Sequence, residues 1–377
     1  MMQVAGRLLA PEDRGFAVVT VEGDRVSAVE LSSIAPGGCI GGPDDRILPG
    51  LIDIQVNGAY GQDFSDPTSD IELVRSRLPE FGVTAFAPTI ISSEPGRYGP
   101  ALENLRHAEA PGVSRILGVH VEGPFLSRKH AGTHNRACLR DPNIEEALAW
   151  LEHGDVAIVT LAPELPHAGE LIRCLAERGV VVSMGHSHAT WGEAAAGAEE
   201  GASLGTHLFN AMPPIHHRNP GLAGFLMASS LPVSVIADGV HVDLDVLRLV
   251  ARVKAPAEFV LITDALAGLG MPIGRYELAG TEFISDGVVG RLPDGTLSGS
   301  LLPLNRAIRN LVNCGVAPSV AVAAATENPA RVLRLNGSAG RVEVGGRADL
   351  VVVDRAWEVV ATVIGGVLAY ERQAQVV

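Results

Sequence analysis

Eight largely apolar runs, five of them ending in polar residues, punctuate the middle of the chain. They are Leu51–Asn57, Thr84–Ile90, Ile116–Glu122, Ile158–Ala162, Val181–His186, Leu204–Leu208, Val233–Asp238 and Phe259–Asp264. Most are continuously apolar rather than alternating, the pattern of parallel strands covered on both faces. Successive runs begin 23 to 42 residues apart, and most gaps hold a segment with helical periodicity. Ile144–Glu152, Ala168–Arg178, Trp191–Glu200 and Leu244–Val253 are such segments, with Asp243 as an N-cap and Gly179 as a stop. Eight β/α units of this size predict an α/β protein built on a (β/α)8 TIM-type barrel. An open doubly wound sheet is the second reading, weakened by the lack of a G-x-G-x-x-G turn.

The chain ends carry a different pattern. Phe16–Val21 and Arg25–Leu31, joined by Glu22-Gly23-Asp24, read as a β-hairpin. Ala348–Val353, Trp357–Val363 and Gly366–Tyr370 read as further strands. Neither end is long enough to bury a core alone. Residues 1–48 and 338–377 are therefore expected to pair into one small β-sandwich domain beside a catalytic barrel spanning 49–337. A segment at 276–297, with turns at Asp286-Gly287 and Asp294-Gly295, predicts a small β insert after the eighth strand. Helices follow around Leu304–Val312 and Val320–Thr326.

Composition narrows the function. Of 377 residues, 47% are hydrophobic and 19% charged, which describes a folded globular protein. The formal net charge of −14 argues against a nucleic-acid or anionic-membrane partner, and any anionic substrate must be caught by a local group. Cys39, Cys138, Cys174 and Cys314 lie far apart with no C-x-x-C pair, as expected for reduced thiols in a cytoplasmic protein. Met1–Thr20 lacks the pattern of a signal peptide, and no apolar stretch reaches the roughly 18 residues of a membrane span. Histidine is the informative count: eleven of twelve fall between His120 and His241.

Barrels carry chemistry at the C-terminal ends of their strands. There the third strand ends in Glu122, the fifth in His186 and the sixth in His207. One carboxylate and two imidazoles from separate strands form the His2Glu set of a catalytic zinc-type site with a position left open. A metal there lowers the pKa of water toward ~7. Asp264, ending the eighth strand, could take that proton and return it to a leaving group. Singly, each has an ordinary structural reading: His186 as a satisfied core histidine, Glu122 as a turn cap, Asp264 as a helix N-cap. Together at one rim they would be costly buried charges without a metal or partners. His120 and His188, each two residues from a proposed ligand, read as supporting or packing groups.

Five motifs then carry a resemblance: His120-Val-Glu-Gly-Pro-Phe125, Gly185-His-Ser187, Thr206-His-Leu-Phe-Asn-Ala-Met212, Ala237-Asp-Gly-Val-His-Val242 and Thr263-Asp-Ala265. With Leu48-Pro49-Gly50-Leu51-Ile52-Asp53 and the ending Gly345-Gly-Arg-Ala-Asp-Leu350, they resemble the N-acetylglucosamine-6-phosphate deacetylases of the amidohydrolase superfamily over essentially the whole chain. The resemblance implies hydrolysis of N-acetylglucosamine 6-phosphate to glucosamine 6-phosphate and acetate, in amino-sugar catabolism and cell-wall recycling. It implies Glu122, His186 and His207 as ligands of one divalent transition metal, zinc or alternatively iron. Asp264 becomes the general base and acid, and His241 the group that polarises the acetamide carbonyl. Thr133, His134, Asn210 and Ala211 would line the sugar, and Ser298, Gly299, Ser300 and Leu301 would close over it. Arg218 would hold the phosphate, either within its own chain or across the interface of an expected homodimer. Many superfamily members carry His-x-His after the first strand and bind a second metal; here Gln55 and Asn57 stand instead. Neutral amides are poor ligands for a second transition metal, so one metal per chain is expected. A deacetylase of N-acetylgalactosamine 6-phosphate, another amidohydrolase activity, and an inactive sugar-phosphate-binding protein remain as alternatives.

Overall fold

The structure, a computed structural model, describes residues 1–10, 12–335 and 339–373. Eight parallel strands follow one another in sequence order around the central sheet: Leu51–Val56, Val83–Ile91, Val119–Glu122, Val156–Leu161, Val181–Met184, Leu204–Gly205, Val233–Ile236 and Phe259–Ile262. Helices fill the gaps between them, and the segments expected to be helical are helices at Ile144–His153, Ala168–Glu177, Trp191–Glu199 and Leu244–Val253. Their ends follow from local chemistry. The Asn143 and Asp243 side chains accept helix N–H groups, Thr190 and Glu193 form a capping box, and Gly179 at φ 84° follows the last turn before it.

Two strands are shorter than their apolar runs. The third breaks at Leu117-Gly118 into Arg115–Ile116 and Val119–Glu122, with Gly118 at φ 93°. The sixth pairs only over Leu204–Gly205. Beyond it the chain turns at His207, φ 30°, so that run supplies site residues rather than ladder.

The first and eighth strands close the barrel at its C-terminal rim. Asp264 donates its N–H to Gln55 O at 3.0 Å and Asn57 donates to Ala265 O at 2.8 Å. At the opposite end Ile52 N–H donates instead to Ala325 O at 2.8 Å, a residue beyond the helix Pro318–Ala324. Inside, Ile52, Ile54, Ala85, Ile158, Val181, Leu204, Ile236, Val260 and Ile262 pack as one apolar plug. Above the plug the barrel turns polar, with His120, Thr160, Ser183 and Thr206 buried and hydrogen-bonded to one another. Glu122 follows His120 on the same face of its strand, whereas His186 and His207 lie past their strand ends at positive φ.

The chain ends come together in one mixed sheet, ordered Val367–Glu371, Val359–Ile364, Leu350–Val353, Arg46–Pro49, Met2–Leu9, Asp13–Glu22, Arg25–Leu31. It is one continuous hydrogen-bonded sheet of seven strands. Alternation divides its side chains. Ile47, Leu350 and Val352 join the small core of Val4, Val19 and Val21, while Leu48, Val351 and Val353 join the core of the barrel. The expected division at 337/338 and the terminal residues 374–377 lie outside the described residues. The insert is a four-stranded antiparallel sheet of Gly274–Leu278, Thr281–Ser285, Val289–Arg291 and Leu297–Ser300. Its last strand is tied to the eighth barrel strand by Ser300 N–H donating to Asp264 O at 3.0 Å.

Candidate metal centre and substrate cavity

Glu122, His186 and His207 converge from three strand ends, all three buried. Glu122 Oε1 stands 3.0 Å from His207 Nε2 and 3.2 Å from His186 Nε2, and the two Nε2 atoms are 3.1 Å apart. Tetrahedral ligands about 2.0–2.1 Å from a zinc ion stand roughly 3.3 Å from one another, so this near-equilateral triangle fits a metal. The donor chemistry fits too. His186 Nδ1 donates to the His130 carbonyl at 2.9 Å, which leaves its Nε2 lone pair facing the centre. His207 Nδ1 is buried without a hydrogen-bond partner among the described residues. Burial alone would raise the Glu122 pKa, but its His134, His186 and His207 partners hold it well below the usual carboxylate range.

The backbone is strained here. His186 (φ 48°), His207 (φ 30°), Phe209 (φ 77°), Ala211 (φ 50°) and Asp264 (φ 51°) all occupy the left-handed region. Such conformations cost about 1–3 kcal/mol each and cluster where side chains must be aimed. Asp264 is held from two sides: Asn57 Nδ2 donates to its Oδ1 at 2.7 Å and Gln55 Nε2 at 3.2 Å. Gln55 Nε2 also donates to Glu122 Oε1 at 3.0 Å. Burial and the nearby Glu122 charge raise the Asp264 pKa. That suits a group that must both accept and return a proton.

His241 is oriented by Asp238, whose Oδ2 lies 2.6 Å from Nδ1. Asp238 is itself fixed by the N–H groups of Val240 and His241, each 2.8 Å from its Oδ1. His134 Nδ1 accepts the Ser92 N–H at 3.2 Å, so its proton sits on Nε2, 3.7 Å from Glu122 Oε2. Burial, with repulsion from His186, lowers the His134 pKa to about 4, so it is a neutral donor.

A cavity of about 470 Å³ opens over these groups, lined by Glu122, His134, His186, His207, His241 and Asp264. Thr133, Asn210, Ala211, Ser298 and Gly299 also line it, as does Asn57. The Thr133 and Ser298 hydroxyls, 2.8 Å apart, join the insert to the barrel loop across the opening. Three expected contacts lie elsewhere. Ser300 is buried beneath the cavity with its hydroxyl on Thr263 O, and Leu301 packs into the barrel core. The strand Leu297–Ser300 ends at Ser300, which is drawn under Asp264 by its N–H donating to the Asp264 carbonyl at 3.0 Å, and Leu301 follows beyond the strand into the core. Arg218 sits on an exposed loop, its Nη1 2.8 Å from His217 Nε2, off the cavity wall of its own chain.

The two histidines expected to support the site, His120 and His188, take different positions. His120 bridges Ile54 O and Thr160 Oγ1 below the centre, and burial lowers its pKa to about 4. His188 turns outward to Ser127 and Glu164. Sequence reasoning missed the roles of Gln55, Asn57 and Asp238 as carboxylate and imidazole holders. The Asp238-x-x-His241 spacing was the available signal for one of them. It also missed Arg291, which lines the cavity from the insert and carries no motif.

The amidohydrolase family model matches residues 46–369. N-acetylglucosamine-6-phosphate deacetylase of Bos taurus is 39% identical, over 97% of this chain and 90% of its own. The Bacillus subtilis deacetylase of the same name is 38% identical, over 87% of this chain and 85% of its own. A solved structure of a Mycobacterium smegmatis N-acetyl-D-glucosamine-6-phosphate deacetylase variant, in complex with N-acetyl-D-glucosamine-6-phosphate, superposes with a TM-score of 0.90. It is 32% identical, covering 98% of this chain and 99% of that one. This chain belongs to the amidohydrolase family and, within it, to the N-acetylglucosamine-6-phosphate deacetylases.

Proposed function

We propose that this protein hydrolyses the N-acetyl group of N-acetylglucosamine 6-phosphate, giving glucosamine 6-phosphate and acetate. The observation that carries this reading is the Glu122–His186–His207 triangle opening into the same cavity as Asp264 and His241. One divalent ion held by those three residues, zinc or iron, would supply Lewis acidity and lower the pKa of water. Asp264, held by Asn57 and Gln55, takes a proton from the attacking water and returns it to the departing amine. His241, oriented by Asp238, stabilises the negative charge that develops on the acetyl oxygen. Thr133, His134, Asn210, Ala211, Ser298 and Gly299 bound the volume available to the sugar. Arg218 would reach the phosphate in the cavity of a second copy, so a homodimer belongs to this reading. The four cysteines are unpaired, which fits a reducing compartment such as the cytoplasm. Among the described residues no helix is long and apolar enough to cross a membrane.

The test is acetate release from the 6-phosphates of N-acetylglucosamine and N-acetylgalactosamine, with metal content measured on the same sample. Acetate from the gluco compound by metal-loaded protein is the expected result. Binding of the sugar phosphate without acetate release would overturn the enzymatic reading, and preference for the galacto compound would move the substrate.

A further inference from the structure

We propose that Arg291, on the insert, is a phosphate-recognising residue of the cavity that acts within its own chain. The inference rests on the substrate class proposed above. Among the described residues lining the cavity, Arg291 is the single Lys or Arg. Its surroundings leave the charge available: it makes no ion pair among the described residues, and its Nη1 donates only to Gly295 O at 3.3 Å. The cavity otherwise presents Glu122 and Asp264, in a chain whose formal net charge is −14. An anionic ligand entering that field needs a local cation. Arg218 lies outside this wall, so one chain taken by itself presents a dianionic phosphate with Arg291.

The placement suits the task. Arg291 ends the strand Val289–Arg291, and the chain returns through Leu297–Ser300 along the same wall. Thr296 lines the cavity beside it, and Ser298 is tied to Thr133 of the barrel loop. The guanidinium thus stands on a hairpin anchored at both sides, with a hydroxyl nearby. A planar donor fork matches phosphate oxygens better than a point charge does. The insert would therefore read the phosphate while the barrel rim handles the acetyl group.

The test compares wild type, Arg291→Gln and Arg291→Lys on N-acetylglucosamine 6-phosphate and on N-acetylglucosamine. Losing a charge-assisted contact should raise KM for the phosphorylated substrate about 10- to 100-fold in Arg291→Gln. kcat on that substrate, and kcat/KM for the unphosphorylated sugar, should stay within roughly threefold of wild type. Arg291→Lys should recover part of the loss. An unchanged KM in Arg291→Gln overturns the proposal, as does an equal loss on both substrates, which would mark a hairpin-holding role. Calorimetric titration with glucosamine 6-phosphate and glucosamine reads the same contrast without turnover. If wild type binds the phosphate in an Arg291-dependent way yet releases no acetate, the deacetylase reading fails and this inference stands. If wild type releases acetate and Arg291→Gln behaves identically, only this inference fails. If wild type binds no sugar phosphate, both fall.

Discussion

Asn57 donates its side-chain amide to Asp264 Oδ1 at 2.7 Å, across the seam where the first and eighth strands close the barrel. Gln55, two residues earlier, directs its amide nitrogen to Asp264 and to Glu122. Both first-strand side chains therefore present donors to carboxylates. Purified protein should hold one tightly bound metal per chain, counted by elemental analysis after dialysis. Two tightly held ions per chain would show that the amide oxygens act as ligands after all.

Among the described residues lining the cavity, Asp264 is the one carboxylate outside the metal triangle. Asp264→Asn keeps size and neutral hydrogen bonding but loses the basic oxygen. Turnover should fall by about 10²- to 10⁴-fold, with metal content unchanged. Undiminished acetate release would remove Asp264 from the mechanism.

Gly299 backs Asp264 from below. Its φ is 149°, and an added Cβ would sit 2.7 Å from the Asp264 carbonyl oxygen. Gly299→Ala must therefore shift the residue that carries the base. It should lower stability by about 1–3 kcal/mol and lower kcat as well. A thermal melt and kinetics matching wild type would mean that the two segments move apart freely.

Asp53 is fully buried, and burial raises its pKa from 3.8 to about 7, although the Thr263 hydroxyl and the Gln55 and Thr263 N–H groups oppose the shift. The folded chain keeps this proton where the unfolded chain releases it. Its contribution to stability therefore falls as pH rises from about 4 to about 7, by up to ~4 kcal/mol in all. Asp53→Asn should flatten that part of the stability profile, read by urea unfolding at several pH values. Parallel profiles for the two proteins would show that Asp53 is ionised in the folded state.

Much of this architecture was legible along the chain. Continuous apolar runs with polar ends mark buried parallel strands, because a strand covered on both faces has no solvent side. Glu122, His186, His207 and Asp264 could be placed on one rim because every strand of a β/α barrel points the same way. The shorter reach of the sixth strand was not legible. Leu204–Leu208 reads as one apolar run, yet His207 leaves the ladder at positive φ, a conformation set by what the side chain must face. The positions of Ser300 and Leu301 were not legible for a related reason: the strand ends at Ser300, whose hydroxyl is held by Thr263 O, and Leu301 is drawn into the barrel core, contacts that no local pattern carries.

By itself, then, the sequence determined the order of the strands, the residues at their ends and the class of chemistry those residues support. These depend on periodicity and composition, which are local. Only the tertiary structure decided that Gln55 and Asn57 grip Asp264, that Asp238 aims His241, that Arg218 stands off its own cavity and that Arg291 stands in it. Those relations join groups that strand register, barrel closure and the docking of the insert bring together. Register and closure are settled by the packing of the whole core, which no local pattern encodes.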